Sequence, residues 1–334
     1  MKHHLIMPKS LHEDPLTKDA AADDVVERLQ TSIWRLGGLN WSSLLRRVWT
    51  EVYAGHLLVH AAALAFYFLF AIFPLLIFLV NVLGLFVSAG QDLRANLIAF
   101  IKSLAPSLAF SLIAATVDEI ATSADLAKLV IGGIAALWFG SLGVTALSES
   151  LNAMYGVRET RSWLQVRAAG VGLTIILLTV TLVALLLIVY AGTFGKFISG
   201  SLGQEDSFGA IWTIAQIPIA VVFVLLTFAI IYYFAPDLRE QKWYWITPGS
   251  LVGVILWLCA SIALSTYLRF ADSYSVTYGS LAGVIVLMLW FYVTGSAILI
   301  GGKINAEIEH AAARAGFPDA KLHGERDSHE HDQP

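Results

Sequence analysis

The chain has 334 residues, 57% of them hydrophobic and 14% charged, with a formal net charge of −4. A soluble domain carries about 25% charged residues, so the composition argues against a soluble enzyme and for a polytopic membrane protein whose spans need about 20 apolar residues each. One cysteine, Cys259, in an apolar tract, excludes an internal disulfide framework and a CxxC metal pair.

The first 39 residues are polar and are expected to form a mostly disordered cytoplasmic arm. Their start, MKHHLIMPKSLHEDP, lacks the apolar core of a cleavable signal peptide, so the first span is expected to direct insertion. In NWSSLLRRVWTEVYAGH, Trp41, Leu44, Leu45, Val48, Trp49, Val52 and Tyr53 fall on one helical stripe, with Arg46, Arg47, Thr50 and Glu51 off it. Aromatic anchors beside a basic face predict a helix lying in the membrane interface.

Six spanning helices follow: Leu57–Val87, Leu129–Tyr155, Val166–Phe194, Phe208–Phe234, Trp245–Phe270 and Gly279–Ile304. The first holds Asn81, and Pro74, which removes a backbone hydrogen bond and predicts a kink. Between spans one and two, Ser88–Lys128 repeats apolar residues at helical spacing on either side of Pro106. Two amphipathic helices capping the outer surface are expected there. Lys and Arg gather in the N-terminal arm, the Val157–Gln165 turn, the Ala235–Tyr244 turn and the tail, which places both termini in the cytoplasm. Pro248 suits the first turn of span five, where a missing N–H is harmless. Residues 311–334 read as a disordered cytoplasmic tail. The expected fold is therefore all-α and polytopic: a six-helix membrane domain over residues 40–310, an N-terminal interfacial helix, and an outer amphipathic connection.

Polar residues inside the spans are the candidates for function, because lipid penalises them. In span two, Ser141, Thr145, Ser148 and Asn152 share one helical face, and Glu149 lies next to it. Span six offers Tyr292, Ser296, Lys303 and Glu307 at matching spacing. Both stripes end at the cytoplasmic side, so Glu149 and Lys303 are expected either to pair or to line one polar vestibule. A structural ion pair is the alternative. The turn RFADSYSVTYGS is the richest outer polar stretch, and Gly279 and Gly283 beyond it allow close helix approach, as a gate or as plain packing.

The signals for chemistry are weak. His56 and His60 share a face, but two ligands without a third make a poor metal site. No P-loop, GxSxG or GxGxxG stands in a sensible context, and no basic groove with stacking aromatics suits RNA. No cofactor, metal or nucleic acid is expected.

Three segments carry a resemblance: HAAALAFYFLFAIFPLLI, LWFGSLGVTALSESLNAMYGVRETR, and the long run from YYFAPDLREQKWYWITPGS through YGSLAGVIVLMLWFYVTGSAILIGGKIN. Over residues 40–310 they resemble the YihY/virulence factor BrkB family of bacterial membrane proteins, some once labelled ribonuclease BN. The resemblance implies a six-helical fold in the cytoplasmic membrane and a link to transport, including lipid export. It also implies an acidic or amide residue where this chain has Lys303, which weakens any proton-coupled role there. The expected function is translocation of a lipid-like or amphipathic substrate without an ATPase of its own. A scaffold for an envelope lipid-transfer partner is the alternative, and an intramembrane enzyme or ribonuclease stands last. The expected partners are membrane lipids, with a second copy or an envelope protein also considered.

Overall fold

A computed structural model describes residues 36–54, 56–86, 126–202, 205–238, 246–270, 280–315 and 320–325. The described elements are helical. After a 3-10 turn at Leu36–Gly38 come α1 (Trp41–Ala54), α2 (Leu57–Phe86), α3 (Leu126–Tyr155), α4 (Trp163–Leu202), α5 (Glu205–Phe234), α6 (Pro248–Phe270) and α7 (Ser280–Arg314). The expected outer cap at Ser88–Lys128 falls almost wholly in residues outside the described set.

Five helices, α2, α3, α4, α6 and α7, carry stretches long and apolar enough to cross a bilayer. The fourth expected span falls in α5, whose apolar stretch Pro218–Phe234 is shorter. Pro218 lies inside α5 and Pro74 inside α2; sequence reasoning flagged only Pro74.

Local sequence sets the helix ends. Ser162 precedes α4, and its backbone N–H donates to the Gln165 side chain at 2.8 Å, the return half of a capping box. At α6 the exchange is reciprocal: Thr247 N–H donates to Ser250 Oγ at 2.9 Å, and Ser250 N–H donates to Thr247 Oγ1 at 3.0 Å. Pro248 then occupies the first helical position. α3 stops at Gly156, with φ at 73°. There Val157 N–H donates to Asn152 O and Gly156 N–H donates to Ala153 O, the paired bonds of a glycine-terminated helix.

α2 and α3 pack side by side, and α7 lies against α2, α3 and α6, with α4 on α3 and α5 on α4 and α6. The main apolar core runs through Leu57, Leu64, Leu147, Leu151, Phe228, Tyr232 and Leu299. α1 packs as well as floats: Leu44 and Val48 are buried against Ile304 and Ile308 of α7, while Trp41, Leu45, Trp49 and Tyr53 remain exposed. The stripe read from sequence thus divides between the bundle and its surroundings. α7 runs to Arg314, and Lys321 beyond it is buried, so ordered structure extends past the expected boundary at 310.

α6 and α7 approach most closely at Gly249 and Gly301. A Cβ on Gly249 would run into the Gly301 carbonyl oxygen and the Asn305 side chain. Tyr232 fills the remaining space, its hydroxyl donating to Ile298 O at 2.8 Å. Gly172, by contrast, has nothing near a built Cβ. Gly249→Ala is expected to lower stability by about 1–3 kcal/mol or more, because backbone rather than a side-chain tip must move. Gly172→Ala should be neutral or mildly stabilising. Thermal unfolding of both purified variants in detergent checks this.

Candidate functional site

Among the described residues, buried polar side chains gather where α1 and residues 320–325 meet the ends of α3 and α7. The expected stripe on α3 exists: Ser141, Ser148 and Asn152 are buried and Thr145 is half-buried. Two of its hydroxyls turn back on their own helix, Ser141 donating to Trp138 O and Thr145 to Ser141 O, each at 2.8 Å. Asn152, 3% exposed, does more. Its amide nitrogen donates to Glu159 Oε2 at 2.9 Å, and its side-chain oxygen accepts from Asp237 N–H at 2.7 Å.

Asn152 is therefore the inner member of a clasp between two turns. Arg161 makes a two-point bond to Glu159, Nε to Oε1 at 2.8 Å and an outer nitrogen to Oε2 at 2.7 Å. The Arg161 Nε also lies 3.7 Å from Asp237 Oδ1. Asp237 Oδ2 accepts from both the N–H and the hydroxyl of Thr160, at 3.0 and 2.9 Å. The α3–α4 turn and the turn after α5 are thus joined by charge-assisted bonds, which are short and strong. The Arg161 guanidinium beside Glu159 holds its carboxyl below the ordinary value of 4.5, against the opposing effect of burial.

Lys303 is as buried as Asn152, 3% exposed. Its Nζ is 3.2 Å from Glu307 Oε1, one turn along α7, and donates to Met154 O at 3.3 Å. Arg47 of α1 reaches Glu307 from the other side at 3.5 Å. Glu149 takes no part: it is exposed and makes no ion pair among the described residues. The expected pairing of Glu149 with Lys303, or a vestibule lined by both, is not formed. Adjacent helix positions differ by about 100°, so the turn that buries Ser148 sends Glu149 to the outer face.

The remaining candidates separate. Ser296 Oγ donates to Tyr292 O at 2.8 Å, so its hydroxyl serves its own helix. Tyr292 packs against the apolar core and Gly283 is buried. Asn81 belongs to α2, with its side chain outside the described set, and Gly279 lies outside it altogether. His60 meets Ser150 Oγ at 3.3 Å, and His56 is exposed. Sequence reasoning missed Glu159, Asp237 and the C-terminal return. There Lys321 pairs with Glu309 at 3.4 Å, and the His310 and His323 rings meet edge to face at 5.1 Å. The acidic residues beside Arg161 and after Pro236 were the available signal.

The bundle, its helix order and this polar end describe a multi-pass α-helical membrane protein. The family model for virulence factor BrkB matches residues 48–324, and the chain belongs to that family. It is 35% identical over 246 residues to a protein named ribonuclease-like, YfkH of Bacillus subtilis (strain 168), covering 74% of this chain and 88% of the relative. It is 27% identical over 266 residues to UPF0761 membrane protein Smlt0865 of Stenotrophomonas maltophilia (strain K279a), covering 79% of this chain and 60% of the relative. A UPF0761 membrane protein of Azoarcus sp. (strain BH72) is 27% identical over 251 residues, with 74% and 59% covered. The chain thus spans about three fifths of these longer UPF0761 relatives. No solved structure matches.

The clasp has a definite pH sign. Glu159 binds its proton less readily folded than unfolded, so its contribution is complete above the unfolded value and is lost as pH falls through the lowered folded one. The unfolding temperature of the wild type is expected to drop between neutral pH and values below 4.5. Glu159→Gln should start lower and lack that component of the drop, as a thermal titration of both proteins reads directly.

Proposed function

We propose that this protein moves an amphipathic, lipid-like substrate between the leaflets of the bacterial cytoplasmic membrane, without ATP hydrolysis of its own. The headgroup passes along the outer face of α3 and α4 while the tails stay in lipid. One observation carries this reading: two charges near this end of the bundle, Lys303 and Glu149, lie on opposite sides of its wall. Lys303 is inside and neutralised by Glu307. Glu149 is outside, on a face that otherwise presents Ile131, Ile134 and Trp138. Acidic side chains within a spanning helix are costly in lipid, and they mark pathways or partners.

The clasp around Asn152 supports an outer route rather than a central pore, because it ties the α3–α4 turn to the turn after α5 at that end. Both termini are assigned to the cytoplasm on the distribution of Lys and Arg. The ribonuclease-like name of one relative suggests a rival reading. Metal-dependent phosphodiester cleavage would call for clustered His, Cys, Asp or Glu, and among the described residues no group of three is placed to hold a metal. The exposed aromatic side of α1, Trp41, Trp49 and Tyr53, is what a scaffold that docks a partner would present, and it fits insertion among headgroups equally.

Leaflet exchange of a fluorescent phospholipid in vesicles holding pure protein tests the reading. Wild type is expected to exceed protein-free vesicles. Glu149→Gln should slow exchange several-fold without changing unfolding temperature. Lys303→Gln should instead cost stability, about 3–5 kcal/mol for breaking a buried pair. Exchange no faster than in protein-free vesicles overturns the translocator reading.

A further inference from the structure

Arg167 lies one turn into α4, yet it does not turn back toward the nearby helix end. Its guanidinium carbon sits 4.4 Å from the centroid of the Trp138 ring. Trp138 is near the middle of α3, about 25 Å along the axis from Tyr155 at 1.5 Å per residue. The helix contact that sets this level is tight: Gly170 faces Thr145 and Ser141, and Gly140 faces Thr174. A long basic side chain placed near a membrane surface ordinarily extends toward water. This one extends inward along an exposed face. Among the described residues its one partner is the indole ring, with no carboxylate or carbonyl bonded to it.

The surroundings are apolar and open. Trp138 is 58% exposed, Ile134 one turn above it 66%, and Leu164 one turn before Arg167 69%. A guanidinium over an aromatic face keeps its edge N–H groups free, and that planar fork matches a phosphate. The low-dielectric setting makes an anionic partner worth more there than in water.

We propose that Arg167 and Trp138 form a binding site for the phosphate of a glycerophospholipid headgroup, with the acyl chains lying on Ile131 and Ile134. The stacked indole holds the guanidinium, and the guanidinium holds the phosphate. A lipid rather than free phosphate is the occupant because the walls are apolar side chains, which a hydrated ion gains nothing by touching. The site's place on the transport face rests on the function proposed above; lipid binding there stands or falls separately.

The test is native mass spectrometry of delipidated full-length protein titrated with phosphatidylglycerol, beside a galactosyl diacylglycerol with the same chains. Wild type is expected to retain the phospholipid in preference to the glycolipid. Arg167→Gln should weaken phospholipid retention roughly tenfold to a hundredfold, the value of charge-assisted bonds, and leave the glycolipid unchanged. Arg167→Lys should restore part of the loss, and Trp138→Leu should lose part of it, with unfolding temperatures reporting that each variant is folded. Equal phospholipid retention by wild type and Arg167→Gln overturns the site. Competition by inorganic phosphate alone at matching concentration overturns the lipid assignment. Leaflet exchange on the same variants separates the two proposals. Binding lost while exchange persists removes this site from the pathway. Binding intact in a protein that does not exchange lipid leaves the site and removes translocation.

Discussion

The side-chain amide of Asn152 is the interaction on which the end of the bundle that carries the α3–α4 turn depends. It is buried near the end of a membrane-crossing helix. Its oxygen takes the Asp237 N–H and its nitrogen gives to Glu159, while its backbone oxygen accepts from Val157 at the glycine stop. One residue therefore ends α3, fixes the turn after it and captures the turn after α5. Arg161 completes the arrangement by neutralising Glu159 and approaching Asp237. An unsatisfied amide here would cost the full desolvation penalty, so these contacts are mutually required. Apolar packing against Leu151 and Tyr232 has no such directional demand.

The same rule sorts the charges. Inside the wall, Lys303 has Glu307 and a carbonyl, and Glu307 has Arg47 as a second cation. The last pair ties α1 to α7 beside the Leu44 and Ile304 contact, so a helix readable as purely interfacial becomes a brace. Outside the wall, Arg167 and Glu149 have no such neutralisation among the described residues. Buried ion pairs often contribute little net stability; their use here is to hold elements in one arrangement, leaving the unpaired charges to face whatever surrounds the bundle.

Much of the fold was legible because membrane helices announce themselves by composition. The shared face of Ser141, Ser148 and Asn152 followed from helical period alone, as did Pro248 at the start of α6. What period does not encode is the partner. Asn152 and Asp237 are far apart in sequence, and only packing of α3 against its neighbours brings the two turns together. The Glu149–Lys303 expectation failed for a similar reason: Lys303 meets α3 at Met154, while a single residue step from buried Ser148 moves Glu149 to another face. Pro218 was legible as a residue and overlooked. Gly249 was visible only as half of a Pro-Gly entry, and its role emerges from Gly301 on a different helix.

The C-terminal return adds a last constraint on how this end can move. Gly156 does two things: its positive φ ends α3, and its missing side chain leaves room for the His323 ring. The ring also meets His310 of α7, while Lys321 is buried beside Glu309. Residues 320–325 thus lie at the junction of α3 and α7, beside the turn that the Asn152 clasp also holds. Separating α3 from α7 here would break polar contacts in both places and expose a buried ammonium. Rearrangement on the lipid-facing side of α3 and α4 breaks neither, since the clasp and the return both lie elsewhere. An outer route needs no opening of this braced junction, whereas a central one does.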